Sequence, residues 1–200
     1  MGESMSHLCY KCNILSGVAV LDYMVEFIQK HICTREAGGK GRGAWIRLSG
    51  KDERESIMEM EKRKEAEKIM EERFGKDSLI ALATEAEGIP YVRPVNSYYR
   101  DGSFYVITYA LSGKMQQIRK NDKVAVCGEW FNGHGIGINR GWFLKPENAE
   151  TARWLREAFA EWIDNGHNNF EDENCIILQI RLTDGVLLSH GTRYELDYAE

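Results

Sequence analysis

The chain has no run of about 20 apolar residues, the length a membrane-spanning helix needs. Its best candidate, residues 14–28, is interrupted by Asp22 and Glu26 and has no small-residue cleavage site ahead of those acids. Neither a spanning helix nor a signal peptide is expected, so the protein reads as soluble and cytoplasmic, with no membrane partner. Cysteine is sparse as well. Five scattered cysteines are too few for a disulfide framework, which also points to a reducing compartment. Nor is there an excess of basic charge: 26 Lys and Arg face 31 Asp and Glu, a net charge of -5. A dedicated nucleic-acid binder shows the opposite balance, so no nucleic-acid partner is expected. What remains is ordinary globular material. The 200 residues are 43% hydrophobic and 28% charged, enough for one domain with an appendage.

Composition changes near residue 57. The first 57 residues hold eight basic and seven acidic side chains, three of the five cysteines, and the glycines 38, 39, 41 and 43. Such a glycine run reads as a linker, and few apolar residues are present to offset its chain entropy. Residues 1–57 are therefore expected to be a poorly ordered extension, with the folded domain at 58–200. Met58 and Met60 directly precede a strong helix pattern, so translation is expected to begin at one of them. Cys9 and Cys12, with His7, His31 and Cys33, suggest a zinc knuckle, but a single residue separates His31 from Cys33. That breaks the regular spacing of a second ligand pair, and no metal site is expected.

The rest of the chain alternates between two periodicities. Residues 59–74 are rich in Glu, Lys, Arg and Met, and Ala66, Ile69, Met70 and Phe74 recur at helical spacing. Strand patterns follow at 78–84, 89–99 and 104–108, the last two joined by Asp101-Gly102, a strong hairpin signal. A short helix is expected at 112–120, then strands at 124–131 and 136–144. Pro146 opens a further helix whose buried stripe is Ala152, Leu155, Phe159, Trp162 and Ile163. Residues 175–182, an Asp184-Gly185 turn and residues 186–189 read as a closing hairpin. Short, hairpin-linked strands with helices beside them predict a mainly β protein, an antiparallel β-barrel with flanking helices. Trp130, Phe131, Trp142 and Phe143 are read as core aromatics, because such rings supply much of core burial.

No nucleophile elbow occurs, and Cys127, Cys175, His134, His167 and His190 are too dispersed to bind a metal together. Chemistry instead concentrates where the 104–108 strand meets the next helix. Ser112-Gly113-Lys114 opens that helix behind Thr108, so free backbone N–H groups, two hydroxyls and a lysine make a compact candidate phosphate site. An ordinary N-cap serine beside a surface lysine is the plain alternative. Arg93 lies within an apolar strand, where an unpaired charge is costly. Its partner is either an acid, Glu85 or Glu87, or a phosphate held by the guanidinium fork.

From residue 76 to about 131, these motifs resemble the pyridoxamine 5′-phosphate oxidase-like flavoproteins. The R-P-V strand, the D-G turn, the F-Y-V-I-T strand and the S-G-K helix occur in the family's order. The resemblance implies an FMN-binding split barrel, a homodimer with FMN at the subunit interface. Arg93 and Val95 match the strand that lines the flavin and reaches its phosphate. Ile107 and Thr108 match flavin contacts on the next strand, while Ser112, Gly113 and Lys114 match the phosphate-binding helix start. Oxidase members often carry Arg where this chain has Gly113, and their Arg-rich C-terminal segment is represented here by Arg193 alone. His134 falls near a position where the partner subunit touches FMN, or is a turn histidine among glycines.

The implied function is an FMN-dependent oxidoreductase, a reductase taking hydride from NADH or NADPH and acting on a small-molecule substrate. The cofactor supplies such redox chemistry, so no catalytic side chain need stand out. A flavin carrier or redox sensor without turnover, or a split barrel holding another phosphorylated cofactor, are the alternatives.

Overall fold

The computed structural model describes residues 50–198. The linker glycines, the cysteine and histidine group at 7–33 and most of the expected leader lie outside the described residues. Helix α1 (Gly50–Phe74) begins at Gly50 rather than at residue 59, so the expected boundary at 57 falls inside it. Its sequence is rich in Glu, Lys, Arg and Met, good helix formers that favour a helix without an apolar face. Burial starts only at Ala66 and continues with Met70 and Phe74, as the helical spacing predicts.

Seven strands follow: β1 (Ser78–Ala86), β2 (Ile89–Arg100), β3 (Ser103–Tyr109), β4 (Lys123–Gly128), β5 (Phe131–Trp142), β6 (Cys175–Ser189) and β7 (Thr192–Asp197). Helix α2 (Gly113–Lys120) joins β3 to β4, and α3 (Ala149–Ala158) lies between β5 and β6. All pairings are antiparallel in the order β3-β2-β1-β4-β5-β6-β7, and β3 also pairs with β6. That last pairing closes six strands into a barrel and leaves β7 attached outside the ring. Three of the hairpins turn through two residues at positive φ, Glu87-Gly88, Asp101-Gly102 and His190-Gly191. Their twist matches that of the strands they join, which is why such turns favour glycine.

Two of the barrel's pairings are short: β1 meets β4 only through Ala81, Leu82 and Ala83, and β2 meets β3 as briefly. β2 pairs with β3 only through Tyr98, Tyr99 and Arg100, so residues 89–97 pair with β1 alone and 106–109 with β6 alone. At the end near Ile80, α1 inserts Phe74 against Phe104 and Phe131, with ring centroids 5.5 and 6.0 Å away. Near Gly137, α2 buries Met115 and Ile118 in the same core. A second, outer cluster packs Leu155 of α3, Phe159 and Ile163 against Phe143 and Ile177.

Besides β5, which starts at Phe131 rather than at residue 136 and ends at Trp142, two boundaries differ from the sequence pattern. Residues 124–131 form no single strand, because the chain reverses at Glu129-Trp130 with Trp130 at φ 54°. A tryptophan in place of the usual glycine conceals this turn; its side chain is 69% exposed, whereas Phe131 and Phe143 are buried as expected. The second difference is larger. Asp184-Gly185 is not a turn, since β6 runs unbroken to Ser189 and the closing hairpin turns at His190-Gly191. Thr183 is an extra residue there, bulging as β6 shifts register against β5 between His134 and Gly135.

Gly185 is needed for space rather than for turning. A Cβ on it would stand 2.6 Å from Cε2 of Phe131. Gly185→Ala is accordingly expected to destabilise the protein by about 1–3 kcal/mol through overpacking. Chemical denaturation checks this, and an unchanged midpoint would mean that Gly185 does not face the Phe131 ring.

Candidate functional site

Antiparallel pairing of β1 with β2 sets Leu82 opposite Arg93, and alternation directs Arg93 to the same side as Val95, Ser97 and Tyr99. The guanidinium therefore lies at the end of the barrel near α2. There Nη1 donates to Thr84 Oγ1 at 2.6 Å and to the Leu82 carbonyl at 3.3 Å, while Nη2 donates to Gln117 Oε1 at 2.9 Å. The Thr84 hydroxyl donates in turn to the same Gln117 oxygen at 2.6 Å. All the acceptors are neutral. The two candidate acidic partners are engaged elsewhere: Glu85 accepts from Asn121 and from the Gly88 amide, and Glu87 pairs with Lys120. The acid reading of Arg93 is thereby overturned.

Lys114 lies half-buried one turn before Gln117. Burial, and then the nearby charge of Arg93, hold its ammonium below the usual lysine range. Among the described residues no carboxylate pairs with either cation. Ser112 stands at the N-cap with extended backbone, but its side chain makes no capping hydrogen bond. Its Oγ is buried without any partner. A buried hydroxyl in that condition costs on the order of 1–3 kcal/mol, so the N-cap alternative does not account for it. Two cations without a carboxylate partner, a partnerless buried hydroxyl and a helix start occur in this region, groups whose chemistry suits an oxyanion such as a phosphate.

The remaining predicted residues are distributed around this cluster. Thr108 is buried at the end of β3. Gly113 is exposed, and nothing lies within 4 Å of the Cβ it lacks. Val95 belongs to the barrel core and Ile107 packs against the outer cluster, so neither side chain joins the polar group. Thr84 and Gln117 escaped the sequence analysis; the first closes an apolar run and the second sits in a polar helix. His134 does not open a strand but lies within β5, where its Nδ1 is 2.7 Å from Asp184 Oδ1. That hydrogen bond holds the Asp184 carboxyl below the usual range. His134 lines a concavity of about 470 Å³ together with Thr84, Glu85, Asn121, Lys123 and Thr183. Among the described residues no helix is long and apolar enough to cross a membrane.

No protein-family model and no curated relative matches the sequence. Solved structures match it in fold. One aligns with a TM-score of 0.51 at 13% identity, over 66% of this chain and 92% of its own. General stress protein 26 from Bacillus anthracis aligns at 0.48 and 16% identity, over 68% and 97%. A Clostridium acetobutylicum protein related to general stress protein 26, of the pyridoxinephosphate oxidase family, gives 0.45 and 16%, over 76% and 97%. The fold is a closed six-stranded antiparallel β-barrel with flanking helices, the architecture that the sequence pattern and its resemblance predict.

Proposed function

We propose that the chain is an FMN-binding flavoprotein, a homodimer that takes hydride from NADH or NADPH and reduces a small-molecule acceptor. The observation that carries this is the buried, partnerless Ser112 hydroxyl at the start of a helix that also carries Lys114 and whose Gln117 accepts from a carboxylate-free Arg93. A phosphomonoester brings nearly two negative charges at neutral pH, which balances two cations. Arg93, Ser112 and Lys114 would hold that phosphate. FMN, when bound, supplies hydride transfer; the chain's own residues bind and orient it.

Dimerisation is supported by the outer surface. Leu79 and Val92, on the outward face of the β1–β2 hairpin, are each more than half exposed. An apolar strip of this kind is covered most economically by a twofold copy of itself. Light scattering of the flavin-bound protein should give about 46 kDa, twice the 23.0 kDa chain; a monomer would exclude an interfacial site.

The direct test is a visible spectrum of freshly purified protein, followed by anaerobic addition of NADH and NADPH. Flavin bands that bleach are the expected result. Bands that persist indicate a carrier or sensor, and a colourless protein that takes up no FMN indicates a different phosphorylated ligand.

A further inference from the structure

Arginine carries five N–H donors in a rigid plane. In Arg93, both hydrogens of Nη1 and one of Nη2 are used, on Leu82, Thr84 and Gln117. Among the described residues nothing accepts from Nε or from the second Nη2 hydrogen. Those two bonds lie on the same edge of the guanidinium and run parallel, the geometry that grips two oxygens of one phosphate. Thr84 is buried, and its hydroxyl fixes the triangle by donating to the Gln117 oxygen that Arg93 also uses.

Resting on the FMN reading above, we propose that Thr84 and Gln117 are positioning residues for Arg93. They hold the end of its fork so that the Nε edge is presented to the ligand phosphate. Because both are neutral, they do so without cancelling the charge. A carboxylate at either place would orient the guanidinium equally well but would neutralise it, leaving Lys114 alone to meet a dianion. Gln117 thus sets charge selectivity: the site favours a terminal phosphate over an uncharged ligand because this acceptor carries no charge.

Four variants separate orientation from charge: Thr84→Val, Thr84→Ser, Gln117→Leu and Gln117→Glu. Losing one locked orientation should weaken FMN binding about tenfold in Thr84→Val and Gln117→Leu. Thr84→Ser restores the hydroxyl and should bind within about twofold of the parent. Gln117→Glu should also lose about tenfold for FMN while keeping the parent's melting temperature, a split that a purely structural role would not give. Riboflavin affinity should be the same in all. Parent-like FMN affinity in either Gln117→Glu or Thr84→Val overturns the proposal.

A flavin-free arm keeps the two readings apart. In ¹⁵N spectra of the apo protein, Arg93 should show separate Nη signals, and inorganic phosphate should move its Nε–H. Both features should be lost in Thr84→Val and Gln117→Leu; their persistence overturns the positioning role. If the parent shows both features yet binds no FMN, the flavin reading fails and the positioning stands.

Discussion

Lys114→Ala should weaken FMN binding ten- to hundred-fold without lowering the melting temperature of the apo protein. A charge-assisted hydrogen bond to phosphate contributes about 1.5–3 kcal/mol, which sets that range. Stability is spared for two reasons. Alanine is the better helix former at an early position of α2. Lys114 in the apo protein is half-buried beside Arg93, with its pKa depressed first by burial and then by that charge. A lysine whose folded pKa lies below its unfolded value binds fewer protons in the native state. Apo stability should therefore rise with pH across the alkaline window between the two values, and Lys114→Ala should remove this contribution. FMN affinity should fall over the same window as the ammonium deprotonates. Fluorescence titration and melting curves at several pH values check both, and a parent-like dissociation constant would remove Lys114 from the site.

Phe104→Ala should produce the largest loss of stability. The ring is fully buried and sits edge-on to Phe74 at 5.5 Å and to Tyr99 at 5.1 Å, with Phe131 at 6.0 Å. It thus ties α1, β2 and β5 together at the centre of the barrel. Removing a phenyl group from such a site costs about 3–5 kcal/mol, because rigid neighbours cannot fill the cavity. Against a total stability of about 5–15 kcal/mol this is a large fraction. For a domain of this size, a fall in melting temperature of roughly 6–20 °C follows. A fall below about 3 °C would show that Phe104 is not at the packing centre.

The parts of the fold that local chemistry dictates were legible in the sequence. Asp101-Gly102 turns where its residue types predict, and the Ala66, Met70, Phe74 spacing marks the buried face of α1. Asp184-Gly185 has the same turn chemistry but serves a different purpose. Its glycine leaves room for Phe131, which is distant in sequence and approaches only once β5 lies beside β6. Local pattern cannot distinguish a glycine kept for its φ from one kept for lack of a side chain. Trp130 conceals a turn for the opposite reason, since a bulky residue occupies the left-handed backbone.

The site divides along the same line. Ser112 and Lys114 announce themselves because helix starts have a composition, and Arg93 because a mid-strand charge demands a partner. The nature of that partner was out of reach. Glu85 is close in sequence and of opposite charge, yet the β1–β2 register brings Thr84 to the guanidinium instead, and α2 folds Gln117 onto it. Neither residue carries a local signal of this role.

The most direct test of the phosphate site compares FMN with riboflavin on the unmodified protein, since the two differ only in the phosphate group. If Arg93, Ser112 and Lys114 hold that group, FMN should bind at least about a hundredfold more tightly, two charge-assisted contacts being worth about 3 kcal/mol or more. The gap should shrink at high salt, as a charge interaction open to solvent does. Equal affinity for the two flavins would contradict the phosphate site and the function built on it.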